Sequence, residues 1–226
     1  MYLLFIFIGV VIVYGPSLWV RWVMYRYGKH IEAMPGTGAD LAKHLIEQYG
    51  VQDTHVEKGG NNVNHFDPAD QMVRLSPENF DGKSLTAVAV AAHEVGHAIQ
   101  YHRRERLIVW RCQMLPKVAV LEKISAGVLV LAPLVGVATR IPQIALLMVV
   151  MIIAFMFSRI VFHLTTLPVE WDASFNKALP ILVTGNYVPT VHVPAVRQVL
   201  KAAALTYVAA ALADLLSFWR WFRFIH

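Results

Sequence analysis

Long apolar stretches with few or no charged side chains constrain the fold of this 226-residue chain more than any other feature. Residues 1–20 contain none, residues 118–139 carry two charges near their start, and residues 144–162 contain a single arginine near their end. A helix needs about 20 residues to cross the apolar core of a bilayer. Because that core offers no water to backbone N–H and C=O groups, segments of this kind are helical. Three membrane helices are therefore predicted.

The flanks of these stretches predict their orientation. The first stretch ends in aromatic and basic residues typical of a membrane interface, namely Trp19, Arg21, Trp22, Tyr25, Arg26, Tyr27 and Lys29. The second is preceded by Arg103, Arg104, Arg106, Arg111 and Lys117. By the positive-inside rule, the polar region between the two faces the cytoplasm. No cleavage site follows residue 20, so the first stretch is predicted to be a retained anchor in the inner (plasma) membrane of the cell, and the chain to be multi-pass.

A fourth segment, residues 200–218, contains Lys201 and Asp214 among many alanines. It either crosses the membrane or lies along its surface as an amphipathic helix, and the sequence leaves both open. The net charge of +5 follows from the membrane flanks, so the bilayer is an expected partner and nucleic acid is not. Cys112 is the only cysteine, which excludes an internal disulfide and a thiolate zinc cluster.

The stretch His93-Glu94-Val95-Gly96-His97 carries the chemistry. On a helix His93 and His97 share a face one turn apart, so both imidazoles can bind one metal ion. Glu94 is turned about 100° from His93 around the helix axis, which suits a base for a water on the open side of the metal rather than a ligand. This HExxH arrangement is typical of zinc peptidases.

The residues around the motif predict a buried helix. From Ser84 the chain is rich in alanine and valine, with Ser84 or Asp81 as the cap. Two imidazoles and a carboxylate within one apolar turn would cost on the order of several kcal/mol unless they satisfy one another. A bound Zn²⁺ satisfies them together, whereas a purely structural helix would need other polar partners.

A catalytic zinc usually takes three protein ligands and keeps one position for water. The extended three-histidine motif is not present, because Gln100 and Arg103 stand where its glycine and third histidine would be. His102 lies about 140° around the helix from His97 and is predicted to be a surface or interface histidine. The third ligand is therefore expected from another segment.

The segment 166–174, beyond the predicted membrane hairpin, supplies better candidates. Pro168 predicts the first turn of a new helix, which places Glu170 and Asp172 just inside it. Because the hairpin returns the chain to the side of the metal helix, an acidic residue here can complete a two-histidine, one-glutamate site. Glu170 is favoured as the third ligand, and Asp172 is favoured as a residue that orients one of the metal ligands. The alternative is that both are ordinary favourable charges at a helix N-terminus.

Five blocks of sequence are distinctive: 64–68, 73–77, 87–100, 167–174 and 199–212. In these blocks, which are spread over most of its length, the chain resembles the bacterial neutral membrane zinc metallopeptidases of the YugP-like family. The layout is also similar to that of membrane gluzincins related to the CAAX-processing and heat-shock proteases, in which a transmembrane hairpin separates HExxH from the glutamate ligand. The resemblance implies zinc bound by His93, His97 and Glu170, with Glu94 as general base. Those gluzincins have an aspartate where this chain has Ser174.

The predicted fold is a mainly α membrane protein with an α+β catalytic portion. The catalytic portion is predicted to contain a zincin-like HExxH helix and a small β-sheet. The rest of the fold is predicted to consist of three or four transmembrane or interfacial helices. Residues 71–75 alternate like a strand, beside which a substrate peptide is predicted to add, and a helix is predicted to begin near Thr37 or Asp40. Four segments result: an anchor (1–26), a cytoplasmic catalytic portion (27–117), a transmembrane hairpin (118–163), and a third-ligand helix with a membrane-associated C-terminal helix (164–226).

The predicted function is hydrolysis of a peptide or protein, soluble or membrane-embedded, by a zinc-activated water with Glu94 as the base. Candidates for stabilising the oxyanion are His163, His192, Tyr187 and, preferred because it lies in a matched block, His65. One alternative is a catalytically silent zinc-binding scaffold or adaptor, which the intact Glu94 disfavours. Another is a metal transporter, disfavoured because the predicted spans contain few ionisable residues. The oligomeric state is not predicted.

Overall fold

The structure is a computed structural model that describes residues 2–139 and 141–212. These residues form two compact units. The first contains the described parts of Met1–Tyr14, Trp110–Thr166 and Tyr207–His226, and the second contains Gly15–Val109 and Leu167–Thr206. The second unit includes all four residues predicted for the metal site. The predicted four-segment division of the chain stays a prediction.

The described residues are mainly helical, with one small sheet. In chain order the elements are α1 (Tyr2–Tyr27), α2 (Gly38–Gln48), β1 (His55–Lys58), β2 (His65–Asp67), β3 (Met72–Leu75), α3 (Pro77–Phe80), α4 (Leu85–His102), α5 (Arg106–Thr139), α6 (Pro142–Trp171), a π-helix (Asp172–Ala178), α7 (Leu179–Thr184), a 3₁₀ helix (Thr190–His192) and α8 (Val193–Ala204). Residues 206–212 form a further helical segment after a break at Leu205.

The helices of the first unit expose large apolar side chains. Leu134 on α5 and both Leu146 and Phe157 on α6 are exposed. Helices that expose many large apolar side chains are uncommon on proteins surrounded by water, where large apolar patches are rare. Within the same unit, Arg159 of α6 pairs with Glu122 of α5 at 3.1 Å, so these two charged side chains of the predicted spans have each other as partners.

Length and composition identify candidate membrane spans among the described residues. One continuous helical stretch, Leu146–Thr184, is long and apolar enough to cross a membrane, and Thr190–Ala204 with Thr206–Leu212 passes the same test as a bent pair. The number of crossings and their orientation stay predictions. The end of the predicted fourth segment, residues 213–218, lies outside the described residues, as does Arg140 in the predicted hairpin loop.

Side-chain caps fix the starts of two helices in the second unit. At α2, Thr37 Oγ1 accepts a hydrogen bond from the Asp40 backbone N–H at 3.2 Å, and Asp40 Oδ2 accepts one from the Thr37 backbone N–H at 2.9 Å. Both predicted cap residues therefore take part in a capping box. At α4, Ser84 Oγ accepts from the Ala87 N–H at 3.1 Å, so Ser84 is the cap.

The three-stranded sheet has the order β1–β3–β2, with β3 parallel to β1 and antiparallel to β2. The predicted strand is confirmed as β3, but the predicted addition of substrate beside it is wrong, because both of its edges are already paired. Along β3, the buried Val73 and Leu75 alternate with the half-buried Met72 and Arg74. Such alternation identifies the two faces of a strand, but it does not tell whether neighbouring strands already occupy its edges.

The helix α4 forms the centre of the second unit. Every residue from Leu85 to Gln100 is buried, and the helix packs against α2, α3, α8 and the π-helix. The aliphatic core around it includes Leu45, Val73, Leu75, Val95, Leu182, Val199 and Leu200. An alanine-rich helix lets these neighbours approach closely, which holds the histidines of α4 at fixed positions.

The prediction that a helix begins at Pro168 is wrong, because Pro168 lies inside α6. A proline within a helix removes one backbone hydrogen bond and bends the axis, but it does not end a helix whose other residues remain bonded. α6 has 30 residues, and it continues directly into the π-helix. Glu170 therefore lies near the C-terminal end of a long helix rather than in the first turn of a new one.

Candidate metal centre

The HExxH residues lie on the buried part of α4. His93 and His97 are each 4 % exposed, and Glu94 is 6 % exposed. The centroids of the two imidazole rings are 4.7 Å apart, and the ring planes are nearly perpendicular, at 79°. One helical turn therefore brings the two rings together edge to face within the core of the second unit.

Glu170 completes the cluster from the end of α6. Its carboxylate atom Oε2 lies 3.2 Å from His93 Nε2 and 3.3 Å from His97 Nε2, and the side chain is only 2 % exposed. The potential ligand atoms of the three residues all lie within 4.8 Å of one another. The structure thus brings together the three residues that the sequence predicts as ligands.

The spacing of these atoms fits a zinc ion. With Zn–N and Zn–O bonds of about 2.0–2.1 Å, two ligand atoms in tetrahedral geometry are separated by about 3.3–3.4 Å. The two Nε2–Oε2 distances of 3.2 and 3.3 Å agree with this separation. Two imidazoles and one carboxylate are also the donor set of catalytic zinc sites that leave a fourth position for water. The described residues therefore provide a site that Zn²⁺ can occupy.

The outer nitrogen of each imidazole has its own partner. His93 Nδ1 lies 3.0 Å from Ser174 Oγ, and that hydroxyl donates a hydrogen bond to the Leu200 carbonyl of α8 at 3.1 Å. His97 Nδ1 lies 2.9 Å from Gln100 Oε1 on the same helix. Ligand histidines in metal sites are commonly oriented through the ring nitrogen that does not face the metal.

Asp172 belongs to this network through Gln100. Its Oδ2 accepts a hydrogen bond from Gln100 Nε2 at 2.7 Å and pairs with Lys177 at 2.8 Å. Burial alone would raise the pKa of Asp172, but the hydrogen bonds from Lys177, Gln100 and Asn176 outweigh it and lower the pKa to about 2. Burial alone would lower the pKa of Lys177, but its bonds to Asp172 and Glu105 raise it. The carboxylate and the ammonium group are therefore both charged at neutral pH.

The glycine of the motif sets the distance between α4 and the π-helix. A Cβ atom on Gly96 would lie 3.0 Å from the Ala173 carbonyl oxygen and 3.4 Å from Lys177 Cβ. Ala173 lies in the first turn of the π-helix, next to Ser174 and close to Glu170 in the chain. Gly96 therefore lets the segment that carries Glu170 approach the two histidines.

Gly96→Ala is expected to lower the free energy of unfolding by about 1–3 kcal/mol, because the added methyl group forces the π-helix away from α4. Since Glu170 moves with that segment, zinc affinity is expected to fall as well. Thermal unfolding and chelator competition measure the two effects. The matched control is Gly127→Ala on α5, whose Cβ would have no neighbour within 4 Å. Equal stability and zinc affinity for Gly96→Ala and wild type would contradict this account.

The other predicted residues lie outside the cluster. His102 is exposed at the end of α4, as predicted. Tyr187 OH donates to Gln48 Oε1 at 2.6 Å and also lies 2.8 Å from His44 Nε2, so its hydroxyl is engaged with α2. The remaining oxyanion candidates occupy separate elements: His65 on β2, His163 on α6 and His192 on the 3₁₀ helix. Their roles stay predictions.

Sequence reasoning missed the two partners of the outer nitrogens. Gln100 was visible only as a departure from the extended histidine motif, although it lies three residues after His97 and therefore on the same helix face. Ser174 was visible only as a departure from the aspartate of the gluzincins. Gln100 lies three residues after His97, and Ser174 lies four residues after Glu170. These helical spacings are the signals that could have identified both partners.

Two histidines on the HExxH helix α4, together with a buried glutamate from α6, are typical of the metal sites of zinc metallopeptidases. A family of proteins described as "Putative neutral zinc metallopeptidase" matches residues 2–226, and the chain belongs to this family. The resemblance to the neutral zinc metallopeptidases seen in the sequence is thereby confirmed, and the similarity to the layout of the gluzincins stays a prediction.

One relative of the chain is a protein of Bacillus subtilis (strain 168) named "Putative membrane protease YugP". The two sequences are 36 % identical over 219 residues, which cover 94 % of this chain and 92 % of the relative. No solved structure matches the chain at a significant level. The relationship therefore extends over nearly the full length of both proteins.

Proposed function

We propose that this protein is a membrane-embedded, zinc-dependent endopeptidase. The observation that carries the proposal is the convergence of three buried ligand atoms in the second unit, namely His93 Nε2, His97 Nε2 and Glu170 Oε2. Membership of the zinc metallopeptidase family supports the reaction class, and the name of the Bacillus relative supports a protease at a membrane.

Each residue of the cluster has a role in the proposed reaction. His93, His97 and Glu170 would hold the zinc ion, and Glu94 would act as the general base. When bound, zinc lowers the pKa of a coordinated water and polarises the carbonyl group of the scissile bond. Glu94 accepts the proton of the attacking water and then delivers it to the leaving amine. Burial of Glu94 keeps bulk water from competing for that proton.

The proposed setting is the inner (plasma) membrane, with a multi-pass chain and the catalytic portion facing the cytoplasm. The basic residues on both sides of the polar region support this orientation, and the exposed apolar side chains of α5 and α6 support contact with lipid. The proposed substrate is a peptide or protein that reaches the site at or near the membrane surface.

The test is to load purified, metal-free protein with increasing amounts of Zn²⁺ and to measure the release of peptides from an unfolded polypeptide. The proposal expects activity to rise in proportion to bound zinc and to level off at one ion per chain. Binding of one zinc without hydrolysis would instead support the scaffold or adaptor alternative. Failure to bind zinc, or activity independent of zinc, would overturn the proposal.

A further inference from the structure

The hydrogen bonds behind the two histidines carry an inference that rests on the proposed function and deepens it. We propose that Gln100 and Ser174 are positioning residues that keep a proton on Nδ1 of His97 and His93, respectively. Each imidazole then directs the lone pair of Nε2 towards Glu170 and the metal. A neutral imidazole has one N–H and one acceptor nitrogen, so fixing the proton on one nitrogen fixes the ligand atom.

The arrangement at His97 follows from the partners of Gln100. The amide nitrogen Nε2 of Gln100 lies 3.1 Å from the Val169 carbonyl and 2.7 Å from Asp172 Oδ2, and both of these partners accept hydrogen bonds. The NH₂ group must therefore face them, which leaves the amide oxygen facing His97 Nδ1 at 2.9 Å. Since that oxygen only accepts, Nδ1 of His97 carries the proton.

The arrangement at His93 follows from the two contacts of Ser174. The Ser174 hydroxyl has a single proton, and the Leu200 carbonyl at 3.1 Å can only accept it. The oxygen then accepts from His93 Nδ1 at 3.0 Å, and this is the one assignment in which both contacts are hydrogen bonds. Ser174 is fully buried, so water does not compete for either bond.

These two contacts link the ligand geometry to the packing of the second unit. Gln100 ties His97 to Val169 and Asp172, which flank Glu170 in the chain. Ser174 ties His93 to α8 through the Leu200 carbonyl. The pair therefore orients the rings of both histidines relative to the third ligand. Partners of this kind typically change metal affinity about 10–100-fold when they are removed.

The first experiment measures the zinc affinity of full-length protein in detergent by competition with a chelator. Gln100→Met and Ser174→Ala are each expected to weaken zinc binding about 10–100-fold, because each leaves one Nδ1–H without its acceptor. Ser174→Thr keeps the hydroxyl and is expected to retain more affinity than Ser174→Ala. The matched control is Thr86→Val, which removes the hydrogen bond from another buried side chain of α4 to the Met24 carbonyl and is expected to leave affinity unchanged.

The second experiment observes the protons directly and does not depend on how well any variant folds. Long-range ¹H–¹⁵N spectra of zinc-loaded wild-type protein with ¹⁵N-labelled histidine identify the imidazoles that shift on zinc addition. The inference expects two such imidazoles, each with its proton on Nδ1 and its metal bond at Nε2. A proton on Nε2 of either one would overturn the inference.

The outcomes separate this inference from the proposed function. If wild type binds one zinc and hydrolyses the polypeptide, but Gln100→Met and Ser174→Ala bind zinc as tightly as wild type, the positioning roles are wrong and the peptidase remains. If wild type binds no zinc, both are overturned. A loss of affinity in these two variants with none in Thr86→Val supports the positioning roles.

Discussion

Glu94→Gln is expected to lower the rate of peptide hydrolysis by about 10²–10⁴-fold, the range over which a positioned general base contributes. Glutamine keeps the size of the buried side chain but cannot accept and return a proton at neutral pH. Since His93, His97 and Glu170 remain, the variant is expected to bind one zinc with nearly the affinity of wild type. Hydrolysis of an unfolded polypeptide and metal analysis of the same preparation measure the two properties.

The matched control for this result is Glu78→Gln, the same substitution at an exposed glutamate of α3. It is expected to leave both hydrolysis and zinc content unchanged. A Glu94→Gln protein that retains one zinc and hydrolyses the polypeptide as fast as wild type would show that another group is the base. Loss of zinc together with activity would show instead that Glu94 helps to hold the metal.

The sequence predicted the parts of the fold that depend on local chemistry. Ser84 and the capping box of Thr37 and Asp40 begin their helices because their side-chain oxygens satisfy backbone donors within the next turn. The strand at 72–75 follows from alternation. His93 and His97 share a face because helix geometry requires it at this spacing. Each of these features is decided within about four residues.

Features that depend on contacts between distant parts of the chain were harder to predict from the sequence. Pro168 has the local pattern of a helix start, but the preceding membrane-type helix continues through it. The pairing of both edges of β3 depends on β1 and β2, which alternation in β3 does not report. The π-helix also leaves no clear mark in residues 172–178, since its wider turn is compatible with ordinary helix-forming residues.

In the candidate site, too, some residues could be predicted from local sequence, and others depended on how distant parts of the chain come together. The two histidines follow from one motif, whereas an acidic ligand from segment 166–174 depended on the expected return of the chain beside α4. The preference for Glu170 over Asp172 came from the two-histidine, one-glutamate donor set of known sites. The structure distinguishes their surroundings: Glu170 Oε2 faces both Nε2 atoms, and Asp172 Oδ2 faces Gln100 and Lys177. The wrong helix boundary did not affect this outcome, because a continuous helix also carries Glu170 to the histidines.

Glu170→Gln is expected to weaken zinc binding by roughly 10²–10⁴-fold. Zinc binding to zinc-finger peptides is worth about 10–16 kcal/mol at neutral pH, and on that scale one of three ligands that share the energy equally would contribute roughly 3–5 kcal/mol. Glutamine preserves the shape of Glu170 but removes the negative charge that faces His93 and His97. Chelator competition measures the affinity, and hydrolysis at fixed total zinc is expected to fall with occupancy.

Asp172→Asn is the matched comparison, since it neutralises the other acidic residue of the same segment. Its side chain contacts Gln100 and Lys177 rather than the histidines, so its effect on zinc binding is expected to be at most about 100-fold and smaller than that of Glu170→Gln. If Asp172→Asn abolishes zinc binding and Glu170→Gln retains it, the third ligand is Asp172. In that case the 3.2 and 3.3 Å approaches of Glu170 to the histidines would be hydrogen bonds of a structural carboxylate.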